Sequence, residues 1–467
     1  MGEVFASALA AVADVADGST IAIAGFGGGH RAPGTLVAAL GEQGASNLCL
    51  VTNGIGVHPR EHLIDKGRVT KIIAAFAPRN RPPGATEEGV ASGAIAFELV
   101  PQGTLVERCR AAGAGIPAFF TPAGADTMIS SGKELRWFNG RPYILEQWLP
   151  VDYAFLHAYR ADEWGNVQFR GGSQNFGPSF AKAARVAIVE AEEIVPFGAI
   201  APGDIDLPGI FVARVVQKTD SFDIAGMIEA RKGRKRPPDL PKTYGGKTAL
   251  TRAQAAQAAA ALLPEGSVVN LGVGIPTMIS NYLAGRNIVL HAENGVLGYG
   301  EQVEGEDVDL DIYNAGGEFV SMNVGGAYFD SVTSFEMARG GHLTAVVLGA
   351  YQVDQAGNLA NWTTGGFLEG GIGGAMDLVA GRKLLMIVME HRDSQDRPKL
   401  VKQVAFDPTG RNCVDVVVTD LAVLRRINGR FVLEQIAPGF TVAEVLAQTE
   451  MDLAIADRVT TMLSPIP

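Results

Sequence analysis

A carboxylate at the end of a strand with a turn behind it can cap the turn or act as a nucleophile, and residues Asn287 to Gly300 contain such a group. The apolar run Ile288-Val289-Leu290 leads through His291 and Ala292 into Glu293-Asn294-Gly295. A short strand that stops at an acid followed by Asn-Gly places that acid at the mouth of a sheet. Two glycine loops could supply the amide donors such chemistry needs: Gly25-Phe26-Gly27-Gly28-Gly29 and Gly272-Val273-Gly274-Ile275-Pro276. Each follows an apolar run and precedes a helical pattern, which aims backbone N–H groups at an anion or a developing oxyanion. Tight-turn geometry would explain the same glycines. A third cluster, Gly371-Ile372-Gly373-Gly374, precedes an apolar helical segment, and its amides could line the same cleft. Gln102, in Pro101-Gln102-Gly103-Thr104, stands at a helix mouth, where its amide either caps or donates to a substrate oxygen.

Other chemistries find less support. The first loop fits only the weaker GxGxxA form of the dinucleotide fingerprint, and the next strand ends in Val51-Thr52-Asn53, with no acid to hold a ribose. No GxxxxGK[ST] loop and no GxSxG elbow is present. The seven histidines form no HExxH; His58 and His62 are four apart, but Pro59 between them argues against a shared helical face. Neither a metal nor a tightly bound cofactor is expected. Cys49, Cys109 and Cys413 form no CxxC pair, which fits a reducing compartment without a disulfide framework.

Positioning these groups calls for an open sheet. Short apolar runs at 19–24, 48–51, 71–76, 96–99, 153–158 and 186–191 alternate with helical patterns, among them 4–16, 35–40 and 104–112. That alternation predicts an α/β fold with mainly parallel strands, whose ligands sit at the strands' carboxyl ends. Residues 231–247 are basic, proline-containing and aperiodic, and read as a linker. Beyond it the opening theme returns: a helix at 251–263, a strand at 267–271, a glycine loop and a helix at 277–283. A second echo pairs Ala161-Asp162-Glu163-Trp164-Gly165-Asn166-Val167 with Val353-Asp354-Gln355-Ala356-Gly357-Asn358-Leu359. The 467 residues therefore divide into 1–230 and 248–467, two similar open α/β domains with a cleft between them. A net charge of −11 excludes nucleic acid or an anionic membrane as the main partner. No apolar run spans a bilayer, and the acidic N-terminus resembles no targeting signal, so a cytoplasmic protein is expected.

Taken in order, these motifs resemble the family I CoA-transferases, of the 3-oxoacid type with fused α and β subunits. The resemblance is carried by Gly25-Phe26-Gly27, by residues 101–105 and 107–119, by Phe138-Asn139-Gly140 and by residues 270–276. It continues through residues 293–298, Arg339-Gly340-Gly341-His342, 357–362 and 371–378. It implies an α-subunit-like domain at 1–230 and a β-subunit-like domain at 248–467. It also implies that Glu293 is a nucleophile that moves CoA between an acyl-CoA and a carboxylic or 3-oxo acid. Gln102 and the backbone at Gly374 would face the oxyanion. Asn270, Gly272, Gly274 and Gly373 would line the path of CoA, which is a substrate rather than a resident cofactor, and Gly27 and Asn53 would lie on the acid side. A homodimer or higher homo-oligomer is expected. Departures from the family pattern include His30-Arg31, Val51-Thr52-Asn53-Gly54, residues 77–84, Ala292 before the glutamate, and Gly317. The first three suggest that Arg31, Arg79 or Arg81 binds an extra carboxylate by paired hydrogen bonds. A CoA-ester hydrolase or ring-opening enzyme on the same fold, and a non-catalytic ligand sensor, remain as alternatives.

Overall fold

The computed structural model describes residues 2–27, 30–78, 83–219, 239–305, 308–365 and 370–463. The start of linker 231–247, together with Gly28, Gly29, Arg79 and Arg81, lies outside them. In the first half the strands are β1 (Glu3–Val4), β2 (Thr20–Ile23), β3 (Leu48–Thr52), β4 (Val69–Ala74), β5 (Ala96–Leu99), β6 (Val151–Asp162), β7 (Val167–Gln168), β8 (Ala184–Val195) and β9 (Arg214–Gln217). They form one sheet in the order β1-β9-β8-β6-β2-β3-β4-β5, with β7 against β6. Every pairing except β6–β7 is parallel. Helices α1 (Gly34–Gln43) and α2 (Gln102–Gly113) follow β2 and β5.

The second half repeats this plan. Helix α3 (Arg252–Ala261) leads into β10 (Ser267–Leu271), β11 (Ile288–Ala292), β12 (Val296–Gln302), β13 (Val320–Tyr328), helix α4 (Ser331–Arg339), β14 (Ala345–Leu348), helix α5 (Ala375–Gly381), β15 (Leu385–Val388) and β16 (Val416–Val418). The antiparallel strands β17 (Ala422–Ile427) and β18 (Arg430–Ile436) follow, and β19 (Ala454–Thr461) completes a sheet ordered β13-β12-β11-β10-β14-β15-β16-β17-β18-β19. Its centre, β11-β10-β14-β15-β16, is parallel. The all-buried runs Ala345–Leu348, Leu385–Val388 and Val416–Val418 are what a parallel strand covered on both faces requires. The expected α/β class with mainly parallel sheets is what the chain adopts.

The echo between the halves has a physical basis. Asp162 accepts from the backbone N–H groups of Trp164 and Asn166 and from the Asn166 side chain, at 2.9, 2.9 and 2.8 Å. Asp354 does the same with Ala356, Asn358 and the Asn358 side chain, at 3.0, 3.0 and 2.9 Å. Each loop then turns on a glycine with positive φ, Gly165 and Gly357. A buried aspartate thus replaces the missing ladder at the end of a strand in both halves.

Local structure departs from expectation at three places. Residues 4–16 do not form one helix: Glu3 and Val4 pair with β9, and only Ala8–Ala11 is helical, started by Ser7 Oγ accepting from Ala10 N. Edge pairing wins over alanine's helix propensity there. The segment expected as an α-helix at 277–283 is a 3-10 helix over Ile275–Tyr282. Thr277 and Ser280 hydroxyls donate to the carbonyls three residues back, at 2.8 and 2.9 Å, which tightens each turn. His58 and His62 do share a helical face, their rings stacked 6.1 Å apart, because Pro59 sits in the first turn, where its missing N–H breaks no bond.

The Asp354 turn tests the duplicated scaffold. Asp354→Ala strands four donors, the N–H groups of Ala356, Asn358 and Val404 and the Asn358 side chain, and should lower unfolding free energy by about 2 kcal/mol, read from urea titration.

Candidate active site

Glu293 owes its position to the turn between β11 and β12. The ladder slips by one residue between Leu290 and His291, a bulge that re-aims the strand end. Gly295 then closes the turn at φ 105°, and a Cβ there would collide with the Phe329 carbonyl oxygen, so only glycine fits. Asn294 is anchored by its side-chain amide, which donates to Tyr313 O at 2.7 Å. Glu293 is left half-buried between buried neighbours.

Asn270, at the end of β10, is the register partner of His291 on β11, and its Nδ2 donates to Glu293 Oε2 at 3.0 Å. Burial of the carboxyl raises the pKa of Glu293, and the Asn270 bond opposes that shift. His291 is fully buried, with Nδ1 3.1 Å from Asn270 Nδ2 and Nε2 3.0 Å from Ser334 Oγ. Burial brings its pKa down to about 4, so the ring is neutral at physiological pH.

The opposite wall comes from the first half and from the third glycine cluster. Gln102 begins α2, and its Nε2 donates to Asn53 Oδ1 at 2.8 Å. Both residues are 1% exposed, and Asn53 Nδ2 and Gln102 Oε1 have no hydrogen-bond partner among the described residues. Turning both amides by half a turn keeps one bond between them and presents the Gln102 NH2 to the Glu293 side. A Cβ built on Gly374 would lie 3.2 Å from Gln102 Oε1, 3.3 Å from Glu293 Oε1 and 3.1 Å from the Phe335 ring, so these groups converge on one point. Gly373, at φ 54°, passes against Phe76, and its carbonyl accepts from Gln102 N at 2.9 Å.

Behind this wall lies a buried ion network. Asp377 of α5 accepts from Gly103 N at 2.9 Å and pairs with Arg339 at 3.1 Å. Arg339 reaches Glu107 of α2 at 3.3 Å, and Glu107 pairs with Arg110. Burial raises the Asp377 pKa against the pull of Arg339.

The remaining candidates fall elsewhere. Gly27 approaches Asn53 through Gly54, whose added Cβ would lie 3.2 Å from Gly27 O. Gly272 packs against β14, and Gly274, at φ 98°, lines a cavity of about 450 Å³ with Ile275, Gly349, Arg252, Glu390 and Lys399. The Arg31 guanidinium holds Asp311 at 2.6 and 2.8 Å and Glu192 at 2.5 Å, binding the halves together. Glu192 also meets His157 at 3.1 Å, and that bond, with the charge of Arg31, brings its pKa to about 2. Arg31 is thus committed to protein carboxylates, while Arg79 and Arg81 lie outside the described residues. Among the described residues no group of three or more His, Cys, Asp or Glu could hold a metal. Sequence reasoning assigned no role to His291, Ser334, Asp377 or Arg339. The i, i+2 spacing from His291 to Glu293 was the available signal for the first of them.

Known proteins resemble this chain over nearly its whole length. A family model described as Coenzyme A transferase matches residues 5–218 and 252–448. Succinyl-CoA:3-ketoacid coenzyme A transferase 2B, mitochondrial, of Mus musculus is 36% identical over 97% of this chain and 89% of its own length. The corresponding Homo sapiens protein, transferase 2, mitochondrial, is 35% identical over 99% of this chain and 92% of its own length. An acyl-CoA transferase structure from Escherichia coli O157:H7 shares the fold, with a TM-score of 0.77 at 21% identity, over 99% of this chain and 95% of that one.

The electrostatics of Glu293 yield a measurable expectation. Carbodiimide labelling of Glu293 against pH should show an inflection above the ordinary value of 4.5, because burial disfavours the charged form. Asn270→Ala removes the bond that favours the anion, and should move the inflection higher still.

Proposed function

The chain belongs to the coenzyme A transferase family, as an enzyme of the 3-oxoacid CoA-transferase kind, and on that premise we propose that Glu293 carries the acyl and CoA groups in turn. The observation that carries the proposal is the placement of Glu293 between Asn270 on one carboxylate oxygen and Gly374 with Gln102 on the other. In the first step Glu293 Oε1 attacks the acyl-CoA thioester carbon. The new C–O bond forms, the C–S bond breaks, and CoA leaves as a thiolate beside an acyl-glutamyl anhydride. The thiolate then attacks the glutamyl carbonyl, forming a C–S bond and releasing the acyl group as a free carboxylate. An acceptor acid runs the two steps in reverse. Each step passes through a tetrahedral oxyanion, so donors must already be aimed where that charge appears.

The Gln102 amide, turned with Asn53 so that its NH2 faces Glu293, is the proposed donor to the oxyanion of the acyl carbon. Pantetheine would run along residues 270–276 and past Gly373 and Gly374. By likeness to the named relatives, the proposed exchange is between succinyl-CoA and a 3-oxo acid. Arg31 takes no direct part in holding that acid, because its guanidinium is committed to Asp311 and Glu192.

Mass spectrometry after incubation with acyl-CoA should find CoA attached at Glu293, and borohydride should convert the thioester there to the alcohol. Glu293→Ala should lose the adduct and lower kcat by about a thousandfold or more. A Glu293→Ala enzyme of unchanged activity would end the proposal. Gly374→Ala puts a methyl at the convergence point, and should lower kcat by about tenfold or more while Tm stays near the wild-type value.

A further inference from the structure

We propose that His291 is a positioning residue for the exchange at Glu293: with Ser334 it fixes which end of the Asn270 amide meets the glutamate. The inference rests on Glu293 being the group that carries acyl and CoA. An asparagine side chain can offer a neighbour either its NH2 or its oxygen. Beside a carboxylate those two choices are opposite in sign, since the NH2 binds the anion and the oxygen repels it.

The geometry points to one choice. Asn270 Nδ2 lies 3.0 Å from Glu293 Oε2, 3.1 Å from His291 Nδ1 and 3.3 Å from the His291 carbonyl oxygen. All three neighbours are acceptors if His291 keeps its proton on Nε2. Ser334 Oγ, 3.0 Å from Nε2, is placed to accept that proton, so in this tautomer both ring nitrogens are satisfied. Both Asn270 and His291 have no exposed surface, so no bulk water substitutes for a lost partner. Asn270 Oδ1 meanwhile has no hydrogen-bond partner among the described residues. The amide therefore keeps its NH2 on the acceptor side although its oxygen stays bare.

This orientation matters at the second chemical step. Glu293 Oε1 faces Gly374 and becomes the bridging oxygen of the anhydride, whereas Oε2 faces Asn270 and remains the glutamyl carbonyl oxygen. When the CoA thiolate attacks that carbonyl, the C–S bond forms and the π pair moves onto Oε2. Collapse of the intermediate restores the carbonyl and breaks the C–O bond to the departing carboxylate. A turned amide would set Asn270 Oδ1 against Oε2 as its charge grows. His291 never touches substrate and acts only through Asn270.

The test is a double-mutant cycle read by the single-turnover rate of Glu293–CoA thioester formation, with KM for acyl-CoA and Tm measured in parallel. His291→Phe should slow that rate by about ten- to a hundredfold, short of the roughly hundred- to thousandfold cost of losing an oxyanion donor outright, with KM changed less than about twofold. His291→Gln, whose amide can accept from Asn270 and donate to Ser334, should recover the rate to within about threefold of wild type. In an Asn270→Ala background His291→Phe should cause no further loss, as expected for residues that act as one unit. Equal losses in His291→Gln and His291→Phe, additive losses with Asn270→Ala, or an unchanged rate in His291→Phe would each overturn the proposal. If His291→Phe does not fold, Ser334→Ala replaces it, with a smaller slowing that vanishes in the Asn270→Ala background; an unchanged Ser334→Ala rate overturns the proposal equally. A wild-type enzyme that forms no Glu293–CoA adduct defeats the reading of the site itself. An adduct-forming wild type with additive variants defeats only the role of His291.

Discussion

Everything at the site depends on a few backbone hydrogen bonds between the two halves. Ala77 N donates to Gly370 O at 2.9 Å, Gly373 N donates to Ala75 O at 3.1 Å, and Gln102 N donates to Gly373 O at 2.9 Å. This pairing seats the third glycine cluster on the end of β4 and the start of α2. It thereby brings Gln102 and Asn53 of one half across to Glu293 of the other. The approach is so close that a Cβ on Gly373 would lie 3.0 Å from the Phe76 ring. The Asp377–Arg339–Glu107 network fixes the same junction from behind, by joining α5, α4 and α2. Buried charges of this kind specify an arrangement more than they stabilise it, which suits a joint that must set a distance.

The duplicated scaffold explains why strand ends of the two halves meet there. Each half is an open sheet with a parallel centre whose strand ends carry a glycine loop, and such ends are where α/β sheets take ligands. The two halves divide the labour unequally. The second half contributes the carboxylate, its Asn270 partner and the glycine-lined cavity. The first half contributes two buried amides, Asn53 and Gln102, with donor and acceptor capacity left open. One half alone has a carboxylate without an opposing wall, or amides without a carboxylate to face.

How much of this was legible in the sequence varied with the range of the interaction. The strand before Glu293, the Asn-Gly turn, the glycine loops and the helix at Gln102 are local features, and apolar runs ending at turn residues disclose them. The family resemblance added that Gln102 and Gly374 should face Glu293, and the structure places them around one point. Contacts between residues far apart in the chain were not legible. Arg31 read as one of three candidates to bind a substrate's extra carboxylate, yet it pairs with the protein's own Asp311, 280 residues on, and Asp377 meets Gly103 across 274. Composition also misled where tertiary structure overrode propensity, as in the alanine-rich start, where Glu3 and Val4 join a sheet edge.

The neutrality of the groups around Glu293 is itself informative. Among the described residues no Lys, Arg or His cation pairs with its carboxylate, and its direct side-chain partner is an amide. A cation there would stabilise the resting anion most strongly and make it a poorer nucleophile. A partly desolvated carboxylate with a raised pKa is a more basic, and hence more nucleophilic, anion. An amide donor also suits every later state, because the same NH2 can bind a carboxylate oxygen, an anhydride carbonyl or a tetrahedral oxyanion without relocating charge. Cations are nonetheless close at hand, with Arg339 one network away and Arg31 at the junction of the halves, and each is held by acidic side chains of the protein. The fold therefore keeps its positive charge in the framework and leaves the proposed nucleophile to amides, a distribution that would favour the proposed group exchange over tight binding of any one intermediate.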